Sequence, residues 1–229
     1  MKKTSVLLKR YLYISQGKIG MYDCQLPRRW WQQPLVWLAS LSRLKAGPLE
    51  IEHTFQQDAP SMHQKMQRII EQLKREQAIG TVDQPATYIH DTLPLFQVLI
   101  PSRPGYLRQP DDPGFIYFGG GTTQTSLALV GSPHHLIGVI PDEKARNSSS
   151  DVPRLVQYIN KRINEIVPGR PPRYDGLGAI WHADTYHTEP RTEMEFFAYR
   201  IHDSQQPQGI PTQEKRVLLY TPLFVAYKD

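Results

Sequence analysis

The sequence predicts a mixed α+β domain: a central, largely antiparallel sheet with about four to five helices packed on it. Two observations lead there. Stretches with helical hydrophobic period and stretches with strand period both occur, so neither an all-α nor an all-β chain fits. Twenty prolines and 12 tyrosines indicate many turns and strand edges. The 229 residues are 39% hydrophobic and 21% charged, enough for a real core and too apolar for wholesale disorder. One domain spanning 1–229 is the expectation, with a mobile connection near 142–150.

Taken in order, the elements are these. Ser5 to Ser15 is dense in β-formers and reads as a first strand. Lys18 to Leu26 is a short helix that stops near Pro27, and Trp30 to Leu44 is a second helix with Trp31, Leu35, Leu38 and Leu41 on one face. Leu49, Ile51, His53 and Phe55 alternate with polar residues as a half-exposed strand. Ser61 caps a helix over Met62–Ile79, with Met66, Ile69, Ile70 and Leu73 in register and Gly80 as its stop. Leu93–Ile100 is a strand. Phe115–Phe118, the run Gly119-Gly120-Gly121 and Ser126–Val130 form a hairpin with a glycine bend. Asp151 caps a helix through Val167 with Leu155, Ile159, Ile163 and Ile166 on one face. Gly178–His182 is a short strand. Thr188 caps a helix over Glu189–His202, with Met194, Phe197 and Ile201 on its apolar face. Arg216–Tyr227 is a closing strand in which Pro222 marks a bulge or an edge.

Composition narrows the compartment and the chemistry. The single cysteine, Cys24, permits no intramolecular disulfide and no cysteine-based zinc site, and reads as a small buried residue in a reducing compartment. The basic start is interrupted at Lys9 and Arg10 before an apolar region of signal-peptide length develops. No stretch approaches the roughly 20 apolar residues of a membrane span. These features predict a cytoplasmic protein without a membrane span. The net charge of +5 is spread along the chain rather than clustered, which reads as a solvated basic surface sooner than as a nucleic-acid footprint. The expected partner is a small anionic ligand or a protein, with nucleic acid less favoured.

Six constellations are candidates for chemistry. Ser15 and Lys18 stand where a strand passes into a helix, a place that suits an anion, although an ordinary cap needs the same residues. Gly119, Gly120 and Gly121 would let backbone N–H groups approach a phosphate, but no dinucleotide or Walker pattern surrounds them and a hairpin turn explains them more simply. His134 and His135, adjacent, would jointly meet a ligand only from a turn or a helix start. His182, Asp184, His187 and Glu189 lie within eight residues and are ligand types for a divalent metal, so a metal-dependent hydrolase or nuclease is an alternative, set against a polar loop that begins the next helix. Arg28, Arg29, Trp30 and Trp31 combine cations with stacking surfaces and give nucleic-acid binding as a third reading, set against ordinary core tryptophans. Glu193 and Glu195 could act as acid and base in a cleft or stand on a solvated helix face.

Several short segments occur together: Tyr11-Leu-Tyr-Ile-Ser15 with Lys18, Phe115-Ile-Tyr-Phe-Gly-Gly120, Gly131-Ser-Pro-His-His-Leu-Ile-Gly138, Glu195-Phe-Phe-Ala198 and Leu219-Tyr-Thr-Pro-Leu-Phe-Val-Ala226. The set resembles an uncharacterised bacterial family of about this length, one of the domains of unknown function. The resemblance implies no activity and assigns no residue a role. By analogy with such families it points to signalling or defence. The leading expectation is a non-enzymatic sensing or interaction domain that binds an anionic small molecule such as a nucleotide.

Overall fold

The computed structural model describes residues 9–26, 60–100, 114–138, 152–166, 180, 189–204 and 215–228. They fall into two compact units, one of Met1–Gln16 with Leu73–Asp229 and one of Gly17–Gln72. The helix expected over Trp30–Leu44, the strand at Leu49–Phe55 and the connection at 142–150 lie outside the described residues.

The described residues of the larger unit form seven strands: β1 (Tyr11–Ile14), β2 (Ile79–Gly80), β3 (Tyr88–Ile100), β4 (Phe115–Gly121), β5 (Thr125–Gly131), β6 (Thr192–Ser204) and β7 (Arg216–Tyr227). β3 pairs with β4, β4 with β5, β5 with β7, β7 with β6, and β6 returns to β3. Five strands therefore close on themselves as a barrel, and only β5 and β7 run parallel within it. Closure removes the open edges of these five strands along the paired stretches. β1 adds to β7 and β2 adds to β3 outside the ring.

The expected sheet with four to five helices is thus corrected. The described fold is mostly β, with three α-helices: α1 (Gln16–Gln25), α2 (Met62–Arg75) and α3 (Val152–Ile166). The largest single difference is β6, expected as the helix Glu189–His202. Met194, Phe196 and Ala198 alternate into the core, and period two with β-forming aromatics prevails over the three-and-four spacing of Met194, Phe197 and Ile201.

Two apolar layers follow from strand alternation. Leu95, Phe118, Leu127, Leu129, Phe196 and Leu218 belong to the layer inside the ring. Their neighbours Phe96, Tyr117, Ala128, Val130 and Leu219 point outward, into a second layer with Leu155 and Ile159 of α3. The face predicted for α3 is borne out at these two residues. Each fully buried Leu or Phe contributes about 1.5–3 kcal/mol of transfer free energy.

The turn chemistry is local. Gly119, Gly120 and Gly121 are the last residues of β4, not the bend, which is Thr122–Gln124. The Thr122 hydroxyl accepts from the backbone N–H of Gln124 and of Thr125, both at 3.2 Å, and donates to Asp83 at 2.6 Å. A β-carbon at Gly119 would collide with the Phe96 ring, so the glycine makes room for an aromatic on the next strand. Pro222 marks a bulge as expected: the register with β6 shifts between Phe197↔Phe224 and Ala198↔Pro222. It is not at an outer edge. On the other side of β7, β5 pairs as far as Tyr220 and β1 takes over at Phe224, so Pro222 falls between two ladders where no N–H is demanded.

The smaller unit holds most of α1 and α2. Ser61 and Gln64 form a reciprocal capping box at the start of α2, with the Ser61 N–H donating to Gln64 Oε1 at 2.8 Å and the Gln64 N–H to Ser61 Oγ at 3.2 Å. Met66, Ile69 and Ile70 are buried as their spacing predicts. Arg68 reaches Asp23 of α1 at 3.3 Å. The helix ends earlier than expected. Gln77, not Gly80, takes the left-handed conformation at φ 54°, and the N–H groups of Ala78 and Gln77 return to the carbonyls of Leu73 and Lys74. Cys24 is exposed, contrary to the buried position expected of it. No helix among the described residues is long and apolar enough to cross a membrane.

Candidate functional site

The outer wall of the barrel where β1, β7, β6 and β3 lie side by side carries a cluster unlike the apolar layers. Strand alternation that sends Ile89, Phe196 and Val225 inward sends Tyr88, His90, Glu195, Phe197, Tyr199 and Phe224 outward. Registers align them: Tyr88 opposes Tyr199, His90 opposes Phe197, and Phe197 opposes Phe224. Lys9, just ahead of β1, lies over the Phe224 ring at 4.6 Å and the Tyr11 ring at 5.8 Å.

Three titratable groups meet there. Glu195 Oε1 accepts from Lys9 Nζ at 2.6 Å and from His90 Nε2 at 2.8 Å. The carboxyl is held far below its ordinary 4.5, at about 2, chiefly by the His90 hydrogen bond and further by Lys9, against the opposing effect of burial. An ionised carboxylate only accepts, so the His90 proton toward it sits on Nε2. Tyr11 nearby is raised by burial and then by the Glu195 charge. The trio is accessible, with side chains 21% exposed for Lys9 and His90 and 26% for Glu195. Arg10 follows Lys9, but its guanidinium lies 5.5 Å from the ring of Tyr227, which packs against the inner layer. The Lys228 N–H donates to the Glu193 carbonyl, where β7 ends beside the start of β6.

An aromatic strip runs on from the trio. His90 meets Phe197 and Phe224 edge-on at 6.0 Å each, Phe197 stacks on Tyr88 at 5.7 Å, and Tyr88 meets Tyr199 at 5.3 Å. Phe197 and Phe224 are buried, whereas Tyr199 is 38% exposed and Ile201 beyond it 40%.

A family model matches residues 9–229, and its description is a family of unknown function, DUF7019. The chain belongs to this family. The sequence resemblance to an uncharacterised family is therefore confirmed, and the DUF7019 match takes in the whole wall from Lys9 to Lys228. Comparison with curated proteins and with solved structures gives no match.

The residues singled out from sequence have other positions. Ser15 is buried in the barrel unit, its N–H donating to the Leu223 carbonyl at 2.9 Å, and Lys18 belongs to the other unit, where burial lowers its ammonium pKa. Gly119 and Gly120 are paired with β3 and β5, and Gly121 with β5. Backbone N–H groups in such a ladder are committed to neighbouring strands, whereas a phosphate cradle needs them unpaired. His134 and His135 form a single 3₁₀ turn, Pro133–His135. His135 packs its edge on Tyr13 at 5.5 Å, and a β-carbon at Gly131 would strike the same Tyr13 ring. Two of the segments that carried the family resemblance thus meet around one buried tyrosine. Of the proposed metal set, His182, Asp184 and His187 lie outside the described residues, as do Arg28, Arg29, Trp30 and Trp31, and Glu189 precedes β6 half-buried. Among the described residues no three His, Cys, Asp or Glu side chains gather as a metal site.

Sequence reasoning found Glu195 but placed it on a helix. It passed over Lys9, Tyr88, His90 and Tyr199. The available signal was the alternation of Tyr88, His90 and Thr92 with Ile89, which extends the strand expected at Leu93 five residues toward the N-terminus.

Proposed function

We propose that this chain is a ligand-binding module that takes a small anionic molecule on the outer wall of its barrel, at Lys9 and His90. The observation that carries the reading is the shared acceptor: one carboxylate oxygen, ionised throughout the neutral range, holds an ammonium and an imidazole N–H side by side. Lys9, held in place by Glu195, loses little conformational freedom when a ligand arrives, whereas the His90 N–H is already given to the carboxylate and serves to fix it. The ammonium has three N–H groups, so its bond to Glu195 leaves capacity for an anion.

Calorimetric titration with inorganic phosphate, nucleoside monophosphates and cyclic nucleotides tests the proposal. Binding that is lost in both Lys9→Ala and His90→Ala supports it. Absence of heat with every member of the panel removes it, as does binding that both substitutions leave unchanged.

A further inference from the structure

The wall joins its charged trio to a run of rings, and from that juxtaposition we infer that the ligand is a nucleoside 5′-monophosphate, its base stacked on Tyr199 and its phosphate at Lys9, beside His90. The inference rests on the anion-binding reading above and gives it a chemical class.

Ring contacts are continuous from one end to the other: Tyr199 with Tyr88, Tyr88 with Phe197, Phe197 with His90, His90 with Phe224, and Phe224 under the Lys9 ammonium. The inner members of this run, Phe197 and Phe224, are buried and complete. Tyr199 at its outer end is a large aromatic left 38% exposed although the strand carrying it lies in a closed barrel. Exposed single hydrophobics are common on proteins, but this one adjoins a second tyrosine and, two residues along the paired strands, His90. That step is roughly 7 Å at the rise of a β-strand. A ribose spans such a distance between a base and its 5′-phosphate. Tyrosine faces accept any base, because stacking needs only a π-surface. The Lys9 ammonium lies at the phosphate end, over the Phe224 ring, and Arg200 beside Tyr199 is paired with Asp203 at 3.7 Å.

The test compares inorganic phosphate, ribose 5-phosphate, AMP and UMP by calorimetry on the full chain. Stacking on an aromatic side chain is expected to make both nucleotides about tenfold or more tighter than ribose 5-phosphate. Tyr199→Ala should erase that difference while leaving ribose 5-phosphate affinity unchanged, which also shows that the variant is folded, and Tyr199→Phe should preserve it. Equal affinity of ribose 5-phosphate and AMP for the native chain overturns the inference and leaves the anion site standing. If none of the four ligands binds, the anion site itself fails and the inference falls with it.

Discussion

Single side chains at the wall make a pH-dependent contribution whose sign can be derived. Glu195 is lowered from its ordinary 4.5 to about 2 in the folded chain, first by its hydrogen bond from His90. A depressed folded value means that the group stabilises the fold above its unfolded value and that this stabilisation is lost as pH falls from about 4.5 toward about 2. The trio is partly exposed, so screening limits the effect to about 1 kcal/mol. Glu195→Gln should therefore be less stable than the native chain near neutral pH by about that amount. It should also show a flatter decline of stability below pH 4.5. Urea denaturation at a series of pH values reads both quantities. Parallel curves for the two proteins across that range would show that the carboxylate gains nothing from His90 and Lys9. None of this was legible at Glu195 alone, because its partners come from β3 and from the residues ahead of β1, both distant in sequence.

At the scale of elements, sequence patterns served well where one periodicity dominated and poorly where two competed. α2 was legible because Met66, Ile69 and Ile70 follow a single helical spacing and Ser61 with Gln64 supplies a capping box. β6 was misread because Met194, Phe197 and Ile201 satisfy a helix and Met194, Phe196 and Ala198 satisfy a strand within one short window. The pairing of β6 with both β3 and β7 decides between them, and that information is not local. The end of α2 was misplaced for a different reason. Gly80 has the right residue type for a helix stop, but the left-handed position is occupied by Gln77, where a side chain is strained. Gln77→Gly should therefore stabilise the chain by about 0.5–1 kcal/mol, the relief of left-handed strain exceeding the added freedom of the unfolded glycine. Thermal unfolding should show a higher midpoint. An unchanged or lower midpoint would mean that the Gln77 side chain repays its backbone strain through contacts of its own.

The molecule as a whole depends on closure between segments far apart in sequence. β7 serves three partners, with β5 and β6 flanking its first half and β6 and β1 its second. Nothing in the composition announces a ring, because the alternation that builds an open sheet also builds a barrel, and the difference lies in whether β6 finds β3. A closed ring has no edge at which to begin opening along its paired stretches, so local unfolding should start at the additions outside it. Among the described residues β1 has a ladder only with β7 and meets Leu136 on its other side in an isolated bridge, and β2 is two residues long. Leu127–Leu129 of β5, by contrast, are buried and paired on both sides, as are Leu218–Tyr220 of β7. Native-state hydrogen exchange should therefore give these central amides one shared opening free energy, equal to that of global unfolding by denaturant, with Tyr11–Ile14 and Ile79–Gly80 exchanging well before them. If the β5 and β7 amides opened separately, or ahead of β1, the ring would not be the cooperative unit. The wall at Lys9, His90 and Glu195 would then sit on a seam that parts in the native state, because His90 and Glu195 stand on β3 and β6, the two strands whose pairing closes the ring.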